Sequence, residues 1–143
     1  MNADFLDSNV ILYLFDDVDD RKRAIARDIV DRSIRDRSGI ISFQVVQEVL
    51  NVLTRKLGVA ATDAQRVLDD VLVPLWEIGP SRSLYQDALQ IHARYGFGFY
   101  DSQIVAAAVS RGCERILTED LQDGQSVASV EIVDPFVEPA PST

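Results

Sequence analysis

The stretch FYDSQIVAAAV, residues 99–109, reads as a helix that carries a carboxylate among apolar residues. At about 100° per residue, Asp101 falls near the middle of an arc that holds Ile104, Val105, Ala108 and Val109. The opposite side is expected to face water and consists of Ser102, Gln103 and Ser110. An acid aimed into an apolar face needs a cation, a hydrogen-bond donor or the helix N-terminus as its partner. Capping would explain the residue type but not its place on the apolar arc, which favours a functional role.

Length and composition indicate a single globular domain. The chain has 143 residues, of which 47% are hydrophobic, and this is enough for a sizeable core. No apolar run approaches the roughly 18 residues of a membrane span, and the first four residues lack the features of a signal peptide. The single cysteine, Cys113, excludes an internal disulfide. These features favour a cytoplasmic protein that has no membrane partner.

The formal charge of −9 counts against a protein that binds nucleic acid through a broad basic face. Basic residues are nevertheless grouped within residues 21–23, 32–37 and 55–56. A solvated helix face is the simpler explanation for each group, and a local contact with nucleic acid stays open.

Short apolar runs alternate with amphipathic helical patterns along the chain. This alternation predicts an α/β fold, a three-layer sandwich with a mostly parallel five-stranded central sheet. The predicted strands are residues 4–7, 39–41, 75–78, 115–118 and 131–133, the last being a short edge strand. Helices are expected at residues 10–15, 21–37, 43–57, 62–71, 83–95 and 99–111, with Ser42 capping the third and Thr62–Gln65 forming a capping box before the fourth. The domain is assigned to residues 1–135, followed by a flexible proline-rich tail at 136–143.

Four acids far apart in the sequence are expected at one edge of this sheet. Asp7 ends the first strand, and Glu48 lies in the second turn of the helix that follows the second strand. Asp120 follows the fourth strand, and Asp101 begins the helix that leads into that strand. All four positions map to the carboxyl edge, where open α/β sheets bind their ligands. No lysine or arginine occupies an equivalent position in the sequence.

Each of the first two acids also has a simpler explanation. Asp7 is one of three consecutive cap-type residues, with Ser8 and Asn9, although only one of them can cap the first helix. Glu48 lies on the border between the apolar and polar arcs of its helix, where Gln44 is expected to face water. Periodicity therefore leaves open whether Glu48 is solvated or turned inward.

The fourth acid has competitors among its neighbours. Asp120 is compatible with an ordinary turn residue, and Glu119 or Asp123 offers the same carboxylate nearby. The joint placement of the four acids at one edge is what favours a common site.

Carboxylates packed together without a counter-charge repel one another strongly in a cleft. Hard divalent cations with oxygen ligands relieve this repulsion, and Mg²⁺ is typically held by a few carboxylates and several waters. A pair of such ions is the usual machinery for attack of water on a phosphodiester.

The ordered set of four motifs resembles the PIN domain, and within it the VapC-type toxins of toxin–antitoxin pairs. The motifs are FLDSNV at 5–10, SFQVVQEV at 42–49, FYDS at 99–102 and ILTEDL at 116–121. The resemblance implies a Mg²⁺- or Mn²⁺-dependent endoribonuclease that is inhibited by a cognate antitoxin and is usually a homodimer. It carries catalytic and metal-ligand roles onto Asp7, Glu48, Asp101 and Asp120. It also implies supporting roles for Asn9 and Thr118, which would orient carboxylates or waters.

Other classes of protein fit the sequence less well. A phospho-acceptor receiver domain needs a lysine near its last strand, and residues 131–136 contain none. A binding module without catalysis has no reason to keep four mutually repelling acids. With one histidine, His92, and one cysteine, Ser-His-Asp or Cys-His catalysis is improbable and a common type of zinc site is excluded.

Overall fold

The short apolar runs of the sequence form the strands of a single sheet in the computed structural model, which describes residues 3–137. In this part of the chain six strands lie in the order β3-β2-β1-β4-β6-β5. Their bounds are β1 Asp4–Leu6, β2 Gly39–Ser42, β3 Trp76–Ile78, β4 Arg115–Leu117, β5 Ser126–Val127 and β6 Val130–Val133. All neighbouring pairs are parallel except β5 and β6. The predicted mostly parallel α/β fold is therefore confirmed.

Helices connect the parallel strands. They are α1 Ser8–Leu12, α2 Asp20–Asp36, α3 Phe43–Asn51, α4 Ala61–Val67, α5 Val73–Leu75, α6 Arg82–Tyr95 and α7 Phe99–Ser110. A 3₁₀ turn at Tyr13–Phe15 extends α1, and wider π-type turns at Val52–Lys56 and Leu68–Leu72 continue α3 and α4. Within residues 3–137 no helix is both long and apolar enough to cross a membrane.

The last predicted strand is not an edge strand. Residues Val130–Val133 pair in parallel with β4 on one side and antiparallel with β5 on the other. Strand β5 has only two residues, too few to produce an alternating pattern in the sequence. It brings the sheet to six strands rather than the predicted five.

The two predicted helix caps make no side-chain capping hydrogen bond in the structure. Helix α4 begins at Ala61 with Ala60 at the N-cap position, so Thr62 lies inside the helix and the capping box is wrong. Ser42 does occupy the N-cap position of α3, but its hydroxyl is buried and has no hydrogen-bond partner within the described residues. Packing of these helices, rather than local capping, sets where they begin.

Helix α7 is buried on nearly all sides, so the predicted division into two faces is wrong. Ser102 and Gln103 are buried with the apolar residues 104–108, whereas Val109 is 39% exposed. The helix packs on α6 and also contacts β4 and β6, and it therefore has no water-facing side along its middle. Asp101 lies in the first turn of this helix and is exposed rather than aimed into the core.

The core extends slightly beyond the predicted domain boundary at residue 135. The Phe136 side chain is 3% exposed, and its ring lies 4.7 Å from that of Tyr13. Residues 138–143 of the expected flexible tail lie outside the described residues, so that expectation stays a prediction.

Candidate metal centre at the carboxyl edge of the sheet

Asp7 lies at the centre of the site because β1 ends between β2 and β4. Its amide donates to the Leu117 carbonyl at 3.0 Å, which continues the pairing of β1 with β4 one residue past the strand. Its side chain is 5% exposed and caps α1, with Oδ1 accepting from the Ser8 amide at 2.8 Å. Oδ2 accepts from the Thr118 hydroxyl at 2.8 Å. Asp7 is thus an N-cap and a member of the acid group at the same time.

Thr118 and Asn9 connect Asp7 to Asp120. The Thr118 oxygen donates to Asp7 and accepts from both the Asn9 amide group, at 3.1 Å, and the Asp120 backbone amide, at 3.1 Å. Asn9 Nδ2 also donates to Asp120 Oδ2 at 3.1 Å, and its distance to Asp7 Oδ2 is 3.5 Å. The two supporting residues named from the resemblance therefore bond directly to two of the four acids.

Glu48 turns toward the same edge and is held by two donors. Ser8 donates its hydroxyl proton to Oε2 at 2.6 Å, and Gln44 donates from Nε2 to Oε1 at 3.0 Å. The same Gln44 nitrogen lies 3.2 Å from the Tyr100 carbonyl oxygen, immediately before Asp101. Glu48 is partly buried, which resolves the question that periodicity left open.

Glu48 and Asp120 lie near enough to Asp7 and to Asp101 to repel both of these carboxylates. The pKa of Asp7 is raised to about 6, chiefly by burial and to a lesser extent by repulsion from Glu48 and Asp120, which together outweigh the lowering effect of its hydrogen bonds to Thr118 and Ser8. Desolvation likewise raises the pKa of Asp101, followed by repulsion from Asp120 and Glu48. We refer to Asp7, Glu48, Asp101 and Asp120 as the carboxylate cluster.

The two competitors of Asp120 are directed elsewhere. Glu119 accepts from the Tyr13 hydroxyl and forms an ion pair with Lys22 at 3.1 Å. Asp123 accepts from the Asp134 backbone amide at 2.8 Å, toward the C-terminal segment. Of the three acids in this loop, Asp120 is the one whose carboxylate accepts a hydrogen bond from Asn9.

The donor set of the cluster fits a hard divalent cation with a largely hydrated shell. Within residues 3–137 no group of three or more acidic, histidine or cysteine side chains is arranged so that it could hold a metal ion by itself. Mg²⁺ does not require such a group, because it usually keeps several waters and binds through one or two carboxylates. The cluster offers oxygen ligands only, and burial, together with repulsion from Glu48 and Asp120, raises the pKa of Asp7 and Asp101.

Two residues that hold Glu48 were not anticipated from the sequence. Gln44 was expected to face water but is 4% exposed, and its Oε1 has no hydrogen-bond partner among the described residues. Ser8 was considered only as a possible cap, whereas its hydroxyl bonds Glu48. The i, i+4 spacing of Gln44 and Glu48 was the available signal, since residues at that spacing are neighbours on a helix.

The fold and the acidic carboxyl edge define an α/β domain whose carboxylates lie where such sheets bind ligands. The PIN domain family matches residues 5–124, and the chain belongs to that family. A comparison with curated protein sequences gives no significant match.

Several solved structures share the fold. A toxin–antitoxin complex from Klebsiella pneumoniae is 20% identical with a TM-score of 0.69, covering 93% of this chain and 98% of its own. DNA-bound VapBC from Salmonella typhimurium is 21% identical with a TM-score of 0.68, covering 94% and 99%. The Mycobacterium tuberculosis toxin VapC20, described as cleaving the sarcin-ricin loop, is 19% identical with a TM-score of 0.60, covering 82% and 92%. The expected resemblance to the PIN domain is confirmed.

Proposed function

We propose that this PIN-domain protein is a cytoplasmic, metal-dependent endoribonuclease, the toxin of a toxin–antitoxin pair. The observation that carries the proposal is the carboxylate cluster, three of whose side chains are held at one edge of the sheet by hydrogen bonds from Thr118, Asn9, Ser8 and Gln44. Burial, and after it repulsion from Glu48 and Asp120, raises the pKa of Asp7 and Asp101. A protein without a cationic ligand gains nothing from this arrangement, because uncompensated charges reduce its stability.

The residues of the cluster would hold Mg²⁺ or Mn²⁺ through carboxylate oxygens. When bound, the cation would lower the pKa of the attacking water and stabilise negative charge on the phosphodiester. Thr118 and Asn9 orient Asp7 and Asp120 by the hydrogen bonds described above, while Ser8 and Gln44 orient Glu48. Such fixed partners keep the ligand oxygens in place before the cation arrives.

The rim beside Asp101 supports a single-stranded RNA substrate. Tyr100 is 70% exposed, and its ring lies 5.7 Å from that of Phe99 in an edge-to-face arrangement. Phe99 in turn stacks with Tyr85 at 6.4 Å. Exposed aromatic rings bind unpaired bases of any sequence by stacking, which suits a protein whose net charge is −9.

An antitoxin and a second copy of the chain are the proposed protein partners. The structures from Klebsiella and Salmonella were solved as toxin–antitoxin assemblies, and this chain shares their fold. Exposed apolar side chains supply surface for such contacts, notably Trp76, Leu89 and Val109.

Size-exclusion chromatography with light scattering measures the mass of the free protein, and a monomer at micromolar concentration would contradict the homodimer.

Asp101→Asn tests the nuclease proposal most directly, because it removes one charge at an exposed position. We expect RNA cleavage in Mn²⁺ to fall at least about 100-fold, as it does when ligand charge is lost from a metal site. Asp7→Asn should have the same effect, and excess EDTA should abolish cleavage by the wild type. The measurement is gel analysis of a labelled RNA of defined sequence.

Asp70→Asn is the matched control, since this aspartate is exposed on the turn after α4. It should cleave RNA like the wild type. Undiminished cleavage by Asp101→Asn, in preparations free of contaminating nuclease, would contradict the proposal. Mn²⁺ binding without any cleavage would instead indicate a binding module.

A further inference from the structure

A second polar cluster adjoins Asp120 and consists of Tyr13, Lys22 and Glu119. The Tyr13 hydroxyl donates to Glu119 Oε1. Lys22 Nζ lies 3.1 Å from the Tyr13 oxygen and 3.1 Å from Glu119 Oε2. The same ammonium lies 4.9 Å from the Tyr13 ring centroid and 5.8 Å from that of Phe136. Both members of the ion pair are partly buried, with side chains 28% and 25% exposed.

The position of Lys22 is unfavourable for its own helix. Lys22 lies in the first turn of α2, where its backbone amide donates to the N-cap Asp19 at 3.0 Å. A positive charge at a helix N-terminus opposes the helix dipole, at a cost of about 0.3–1 kcal/mol. The hydrogen bonds to Tyr13 and then to Glu119 raise the pKa of Lys22, so the ammonium stays charged. These contacts offset the cost to the helix.

Glu119 connects this cluster to the carboxylate cluster through the backbone. Its amide donates to Asn9 Oδ1 at 3.3 Å, and the next amide, that of Asp120, donates to the Thr118 oxygen at 3.1 Å. The side chains of these neighbouring acids therefore accept hydrogen bonds from different partners, Glu119 from Lys22 and Asp120 from Asn9.

We propose that Lys22 and Tyr13 form a clamp on Glu119 that positions Asp120 for the divalent cation. Lys22 is a positioning residue, which acts by neutralising Glu119 and holding the loop after β4. Without the clamp, a half-buried Glu119 carboxylate would be left unpaired beside the carboxylate cluster. It would move to water and displace the loop. The effect on the cation rests on the proposed function, whereas the effect on the loop does not.

Hydrogen exchange of the metal-free protein tests the clamp itself. Lys22→Met should increase exchange at residues 118–124 at least about tenfold and leave the amides of β1 and β2 unchanged. Tyr13→Phe removes a single hydroxyl and should give a smaller increase in the same segment. Lys22→Arg should keep the protection that Lys22→Met loses, because a guanidinium can donate to both acceptors, the Tyr13 oxygen and the Glu119 carboxylate. Lys56→Met, a change at the chain's other lysine and an exposed position, is the control.

Exchange that rises equally throughout the molecule, or not at all at residues 118–124, would overturn the proposal. A double-mutant cycle then identifies the partner of Lys22. In a Glu119→Gln background, Lys22→Met should have no further effect on loop exchange. If the effects of the two changes on loop exchange were additive, Lys22 would act through a group other than Glu119, and this result would also overturn the proposed clamp.

Mn²⁺ titration followed by electron paramagnetic resonance tests the consequence for the cation. Lys22→Met should weaken Mn²⁺ binding by about 10- to 100-fold, the usual effect of losing a group that orients a ligand. Lys22→Met with wild-type Mn²⁺ affinity would overturn the positioning role. Failure of the wild type itself to bind Mn²⁺ would contradict the proposed function, while the exchange experiment would still test the clamp.

Discussion

At the residue scale, Asp7 combines a structural and a chemical role. It caps α1, accepts a hydrogen bond from the Thr118 hydroxyl and is almost fully buried. Its pKa is nevertheless raised to about 6, because burial outweighs the hydrogen bonds that favour the charged form. The folded metal-free protein therefore holds a proton on Asp7 more tightly than the unfolded chain does.

The pH dependence of stability follows from this raised pKa. The unfolded chain loses the Asp7 proton near its ordinary pKa of 3.8, but the folded protein loses it near 6. The free energy of unfolding should thus fall as the pH rises from about 4 to about 6, because unfolding releases the proton in that range. In Asp7→Asn this contribution is absent. The quantity to compare is the melting temperature of Asp7→Asn minus that of the wild type, both measured in EDTA. This difference should be more positive at pH 7.5 than at pH 4.5.

The control for this comparison is Asp70→Asn, whose melting temperature should differ from that of the wild type equally at the two pH values. If the difference between Asp7→Asn and the wild type were also the same at both pH values, the charge on Asp7 would not lower the stability of the folded protein.

At the scale of elements, the approach of α2 to β2 depends on Gly39. A Cβ atom at this position would lie 2.6 Å from Ser33 Cβ and even closer to Ser33 Oγ, on a buried part of α2. Such distances require the helix or strand to move. Strand β2 pairs with β1 at this point, with Asp4 opposite Gly39, so a shift would reach the strand that carries Asp7.

Gly39→Ala should lower the free energy of unfolding by about 1–3 kcal/mol, as overpacking of a core does. Thermal or urea unfolding provides the measurement. Gly79→Ala is the matched control, because no atom of the described residues lies within 4 Å of a Cβ built there. Equal stability of the two variants would contradict the tight contact between α2 and β2.

At the scale of the whole molecule, a cation that binds the folded protein should stabilise it. The chain carries a net charge of −9, and four of its carboxylates meet at one edge of the sheet. A ligand present at 100 times its Kd contributes about 2.7 kcal/mol, which corresponds to a rise of roughly 5–10 °C in Tm for a domain of this size. Mn²⁺ should produce this rise in the wild type but not in Asp101→Asn.

Potassium chloride at the same ionic strength separates specific binding from screening of the net charge. An equal rise in Tm with this salt, or with Asp101→Asn in Mn²⁺, would contradict a metal centre at the carboxylate cluster.

Much of the fold could be predicted from the order and spacing of apolar runs. The first four predicted strands overlap β1 to β4, and the fifth overlaps β6. The errors share a cause, since β5 is held by its pairing with β6 and α7 is buried by its neighbours. Tertiary contacts of this kind override local pattern.

For the candidate site, the sequence by itself determined the edge of the sheet at which Asp7, Glu48, Asp101 and the acids after β4 lie, because the order of strands and helices fixes the edge at which each element ends. It left open whether Glu48 turns inward and which of the acids after β4 joins the group. Only the tertiary structure decided which groups orient the acids. Ser8 reaches Glu48, and Lys22 reaches Glu119, across separate elements. Gln44 lies on the same helix as Glu48, but its side-chain nitrogen also reaches the Tyr100 carbonyl of α7. A hydrogen bond between residues 97 positions apart, such as that of Lys22 with Glu119, leaves no periodic pattern in the chain. It depends on side-chain directions that exist only after the helices have packed on the sheet.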